Sequence, residues 1–171
     1  MPNLQPQHCD TQLYPDYRGT WGVYSLWAMG NYQILEHTAD KGLAVEAESL
    51  PDLFETAAQG LFRLMIDPAH YPPTEPLALE LHAPDLEVLL VKWLNELLYH
   101  FEVHHRLFSR YEAIEVREQD GRWHLKAQAH YCPIEPQQLE WEGAPVKSVT
   151  YHGLCLEQDS ERWRLRVFVD V

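Results

Sequence analysis

Two stretches of this chain carry the same apolar pattern, and that pattern limits the fold more than any other feature. Leu50, Leu53, Phe54, Ala57, Ala58, Leu61, Phe62 and Met65 fall at offsets 0, 3, 4, 7, 8, 11, 12 and 15, and Leu86, Leu89, Leu90, Trp93, Leu94, Leu97, Leu98 and Phe101 repeat the same eight offsets. At about 3.6 residues per turn such positions merge into one continuous stripe, so each stretch predicts an amphipathic helix that must bury one face. The boundaries are also written in the sequence. Ser49 and Asp52 have the spacing of a capping box, Pro84-Asp85 opens the second helix, and Asp67-Pro68 with Pro72-Pro73 ends the first.

The segments around these helices read as strands. Gln33 to Glu36 is a short one, followed by a turn from His37 to Gly42. Leu43, Val45 and Ala47 then alternate with Ala44, Glu46 and Glu48, and Leu77, Leu79 and Leu81 alternate before the second helix. Ile114 and Val116 lead to Asp120-Gly121, a strong hairpin signal, and Trp123, Leu125, Ala127 and Ala129 continue on the far side. Pro133 to Pro145 reads as a long polar loop. Val149–Glu157 and Arg162–Val171 form a last hairpin around Gln158-Asp159-Ser160. The expected fold is α+β, two amphipathic helices packed on a largely antiparallel β-sheet. Strand followed by helix occurs twice, which suggests an internal duplication, although the side chains differ too much for a sequence repeat.

Composition sets the class. With 171 residues, 46% hydrophobic and 23% charged, the chain is one globular domain and not a disordered one. Its net charge of −13 repels phosphate at long range, which argues against direct nucleic-acid binding and favours a basic protein partner. Residues 1–30 stand apart, with Tyr14, Tyr17, Trp21, Tyr24 and Trp27 but no sustained period, and read as an aromatic-rich appendage to a domain of residues 31–171. Cys9, Cys132 and Cys155 are odd in number and lack C-x-x-C spacing, which argues against a disulfide framework and a thiolate zinc knuckle. No secretory signal or membrane span is recognisable, so the expected location is the reducing cytoplasm.

Several residue sets could carry chemistry. Asp40, Asp170 and the carboxylate of Val171 would supply only hard oxygen donors, suited to calcium, magnesium or manganese; equally, Asp40 reads as a turn aspartate and Asp170 as an ion-pair partner of Arg166. The alternating final strand carries its apolar face through to Val171, which fixes the expected place of that carboxylate. His37 and His152 suit acid–base or zinc chemistry, but no H-E-x-x-H motif supports it, and His104-His105 with Arg106 read as a solvated helix end. Arg162, Arg164 and Arg166 sit at period two among Glu157, Asp159 and Glu161, which favours ion pairing over phosphate binding. Nucleophile elbows, phosphate loops and dinucleotide fingerprints are absent.

The segments YQILEHTADKGLAVEAESLPDLFETAAQGLFRLM, LLVKWLNELLYHFE, VKSVTYHGL and the ending RVFVDV, in this order, resemble the archease family over about residues 31–171. The resemblance implies an α+β fold and a role in tRNA splicing, as an activator of the RtcB-type RNA ligase that promotes its GTP- and metal-dependent guanylylation and turnover. It implies no catalysis by the protein itself. It also implies a metal ion, calcium in the first instance, held by Asp40, Asp170 and the main-chain carboxylate of Val171. Lys41 departs from a position that is commonly aliphatic, and Val171 replaces a common isoleucine without changing the main-chain donor. A metal-dependent hydrolase using the same carboxylates and a general chaperone or interaction module are the competing readings.

Overall fold

A computed structural model describes residues 30–36 and 41–171. The aromatic-rich segment before Gly30 and the turn residues His37 to Asp40 lie outside the described residues. The elements are β1 (Gly30–Glu36), β2 (Lys41–Ala47), α1 (Leu50–Arg63), β3 (Glu75–Ala83), α2 (Leu86–His104), β4 (Arg106–Gln119), β5 (Arg122–Pro133), β6 (Ser148–Asp159) and β7 (Arg162–Asp170). Both helices begin where side chains can take an unpaired N–H. The Ser49 hydroxyl accepts from the Asp52 amide at 3.3 Å and the Asp85 carboxylate from the Val88 amide at 2.8 Å. At the hairpin, Asp120 and Gly121 both adopt positive φ, 53° and 72°, as a two-residue turn matched to strand twist requires.

The α+β class is as expected, but there are two antiparallel sheets, not one, with strand orders β1-β2-β7-β6 and β3-β5-β4. Each helix touches both: α1 packs on β1, β2 and β7 of the first sheet and β4 of the second, and α2 on β6 and on β3, β4 and β5. The reason is the width of the buried helix faces. Thr56 and Gly60 are buried in α1 beyond the apolar stripe, and Val91 is buried in α2, so neither helix offers only the roughly 100° face that a single sheet would cover. Trp93 is fully buried at the centre, its indole N–H donating to the Phe54 carbonyl at 3.0 Å and tying α2 to α1. The two strand–helix units occupy unlike places, since β2 is interior to its sheet and β3 is an edge.

Other departures have local causes. The first strand starts at Gly30, ahead of the expected Gln33 and inside the segment read as appendage, paired with Ala47. Its glycine gives no periodic signal, yet a Cβ there would stand 2.1 Å from the Thr56 hydroxyl oxygen, so the close approach of β1 to α1 needs glycine. The expected polar loop after β5 is tied down. Trp141 bridges Ile66, the Glu142 and Gly143 amides donate to the Met65 carbonyl at 2.8 and 3.1 Å, and Arg63 pairs with Glu142. Cys132 has a free thiol. Among the described residues no helix is long and apolar enough to cross a membrane.

Tyr111 on β4 is 4% exposed, stacks edge-on against Trp93, and its hydroxyl has no hydrogen-bond partner among the described residues. Complete burial pushes its phenol well above the usual range, so it stays protonated. A buried donor without a partner forfeits its hydration and gains nothing in return. Tyr111→Phe is therefore expected to be neutral or to stabilise the fold by up to about 1 kcal/mol in urea unfolding, where a loss above about 1 kcal/mol would reveal a hidden partner.

Candidate functional site

The site is assembled at the end of β7, a strand paired along both edges. On one side Lys41 of β2 lies opposite Val169, and on the other Ser148 of β6 lies opposite Asp170. Leu165, Val167 and Val169 are buried on the core face, while Asp170 and Val171 emerge into solvent. The strand is thus anchored by burial up to its penultimate rungs and then presents a carboxylate and a main-chain oxygen at a defined place. Lys147, just before β6, grips this end twice. Its amide donates to the Asp170 carbonyl at 2.8 Å and its ammonium to the main-chain oxygen of Val171 at 3.2 Å.

Of the three expected metal ligands, Asp170 and Val171 are consecutive residues at the exposed end of β7, and Asp40 lies outside the described residues. Its chain neighbour Lys41 faces Val169, and the Lys41 ammonium extends toward the tied-down loop, 3.5 Å from where a Cβ on Gly143 would stand. Among the described residues no group of three or more His, Cys, Asp or Glu side chains is placed to hold a metal. The described donors, an exposed carboxylate and a main-chain oxygen, are nevertheless the hard oxygens that calcium, magnesium or manganese prefer, and the Lys147 ammonium occupies part of the same negative potential. The residues present fit a hard divalent cation in kind.

The remaining candidates resolve differently. His37 lies outside the described residues, and His152 is exposed. Arg164 pairs with Glu46 at 3.0 Å and Asp159 at 3.2 Å, and Arg162 with Glu46 at 3.6 Å, so this face of β7 carries ion pairs as expected. Arg166 donates to the Gly153 carbonyl at 3.4 Å. That contact belongs to a feature the sequence concealed. Between Thr150 and Cys155 the β6–β7 register shifts, so Tyr151, His152, Gly153 and Leu154 bulge from an edge strand that reads as regular. Gly153 makes the bulge, with φ of 67° and a missing Cβ that would stand 2.9 Å from the Phe168 ring.

Lys147 and Asn95 were also missed. Lys147 carries no periodic signal. Asn95 interrupts the charged and apolar residues of α2 with a short amide, the one clue available. Its carbonyl accepts from the Val149 amide at 2.8 Å and its NH₂ donates to the Val149 carbonyl at 3.1 Å, which seats β6 on α2 beside the candidate site.

This geometry defines a class: a small acidic α+β domain that holds two helices between antiparallel sheets and exposes oxygen donors at the end of a central strand. A sequence profile of the Archease protein family (MTH1598/TM1083) matches residues 32–171. Protein archease of Methanosarcina mazei is 38% identical over 140 residues, covering 82% of this chain and 95% of that protein. The solution structure of Methanobacterium thermoautotrophicum protein 1598 superposes with a TM-score of 0.72 at 28% identity, covering 82% of this chain and 98% of the other. The Thermotoga maritima crystal structure, described as an archease, possible chaperone, shares the fold at a TM-score of 0.52 and 19% identity over 80% of this chain and 94% of that one. The chain belongs to the archease family.

Removing the Asn95 amide would leave both polar groups of Val149 without their partner at a half-buried place. Asn95→Ala is expected to lower stability by about 1–3 kcal/mol in urea unfolding. A change below about 0.5 kcal/mol would show that water replaces the amide without cost.

Proposed function

We propose that this protein activates an RtcB-type tRNA-splicing RNA ligase, promoting the ligase's GTP- and metal-dependent guanylylation and turnover in the cytoplasm without joining RNA itself. The observation that supports this most is the end of β7, where Asp170 and Val171 emerge together between the starts of β2 and β6 in a chain of the archease family.

Asp40, Asp170 and the main-chain carboxylate of Val171 would hold the ion, calcium by resemblance, with magnesium or manganese acceptable to the same donors. When bound it supplies positive charge to a group of carboxylates that otherwise repel one another. The chain's own part is positional. Pairing with β2 reaches Val169 and pairing with β6 reaches Asp170, and the Lys147 ammonium donates to the Val171 oxygen. The net charge of −13 speeds encounter with a ligase whose RNA- and nucleotide-binding surface must be basic, and makes that encounter weaken with salt.

The test is ligase guanylylation at limiting GTP and metal, with the wild-type protein and with Asp40→Ala, Asp170→Ala or one residue appended after Val171. The wild type is expected to accelerate the reaction, and each change to reduce the acceleration at least about tenfold with the fold intact. Equal stimulation by all four proteins would sink the metal-site reading, and no stimulation by the wild type would sink the activator reading.

A further inference from the structure

The two sheets leave a slot between the edge strands β3 and β6, floored by α2. It is a concavity of about 390 Å³ with Leu81, Val91 and Val149 at its apolar base and Tyr99 and Tyr151 among its lining residues. Both tyrosines are large and yet 49% and 56% exposed. The Tyr99 ring is held, edge-on to His100 and His104 at 5.6 and 5.4 Å between centroids, and Tyr151 opens the bulge in which Gly153 lies against Phe168. Aromatics presented beside an apolar floor, in a concave site large enough for one or two side chains, are what a protein interface uses as anchors.

Charge narrows the occupant. The Lys92 ammonium is committed to the His82 carbonyl at 2.9 Å, whereas the Glu96 carboxylate, 37% exposed, lines the slot and, among the described residues, has the His100 ring at 3.4 Å as its one ionic partner. The slot therefore suits a basic side chain next to an apolar one, on a partner attracted by a chain of net charge −13. Position narrows it further. Val149 follows Ser148, which lies opposite Asp170, so β6 runs from the candidate metal site into the slot, and Tyr151 stands roughly 10 Å along the strand from Ser148.

We infer that the Tyr99–Tyr151 slot is the docking surface for the ligase, taking an extended segment with an apolar residue beside an arginine or lysine and thereby holding the ligase over Asp170 and Val171. This rests on the activator reading above and adds to it the face through which the partner is engaged.

The experiment measures affinity for the RtcB-type ligase of the same organism, and calcium affinity, for the wild type and for Tyr99→Ser/Tyr151→Ser, with hydrogen exchange on the wild-type complex. The double substitution is expected to weaken ligase binding at least about 30-fold and to leave calcium affinity within about twofold. Exchange in the wild-type complex is expected to slow at 95–99 and 148–154. Undiminished binding by the variant, or protection confined to another face, would overturn the slot while leaving the activator reading standing. Wild-type protein that does not bind the ligase would overturn both. A wild-type dimer that the double substitution dissociates would assign the slot to a second copy of this chain and overturn the ligase assignment.

Discussion

The two-sided pairing of β7 is the constraint on which the rest of the structure depends. Its apolar face, Leu165, Val167 and Val169, is buried in the core beside α1, its edges are taken by β2 and β6, and only its last residues leave the sheet. A strand end is ordinarily where a chain frays. Here the Lys147 amide and ammonium, the loop bound to Met65 and Arg63, and the Asn95 amide on Val149 all hold the flank of that end. The ordering of β7 up to Asp170 is thus supported by contacts spread over α1, α2 and the loop before β6.

The helices contribute through being buried on more than one side. A helix with a narrow apolar stripe would leave one sheet and solvent, whereas α1 and α2 lie between two sheets and join them. The cost of this arrangement is a pair of sheet edges, β3 and β6, that approach α2 without meeting each other. The slot that results lies along the same strand, β6, that supports the candidate site. Architecture alone therefore places a concave aromatic surface next to the oxygen donors.

How much of this is legible in sequence follows from the range of each interaction. The helices and their caps are local: Leu86 to Phe101 share a turn-to-turn neighbourhood, and Asp85 caps an amide three residues on. Asp120-Gly121 likewise encodes its own turn. The division into two sheets depends on which distant strands pair, and the stripes underestimated the buried faces because Thr56 and Gly60 are buried for lack of bulk, without being hydrophobic. The bulge at Tyr151 to Leu154 was hidden because alternating residues on both sides of it look like one strand. At the candidate site the proposed donors rest on family resemblance. Asp170 is one acidic residue among 26 Asp and Glu, and no spacing rule distinguishes it.

The central proposal is that the main-chain carboxylate of Val171, just past the end of β7, acts with Asp170 and Asp40 on one cation. Calorimetric titration of calcium into this protein and into a form extended by a single glycine after Val171 tests it most directly. The account predicts one site in the first and at least about a tenfold weaker one in the second, at unchanged thermal stability, because the extension removes a charged ligand and little else. Equal affinities for the two forms would contradict it.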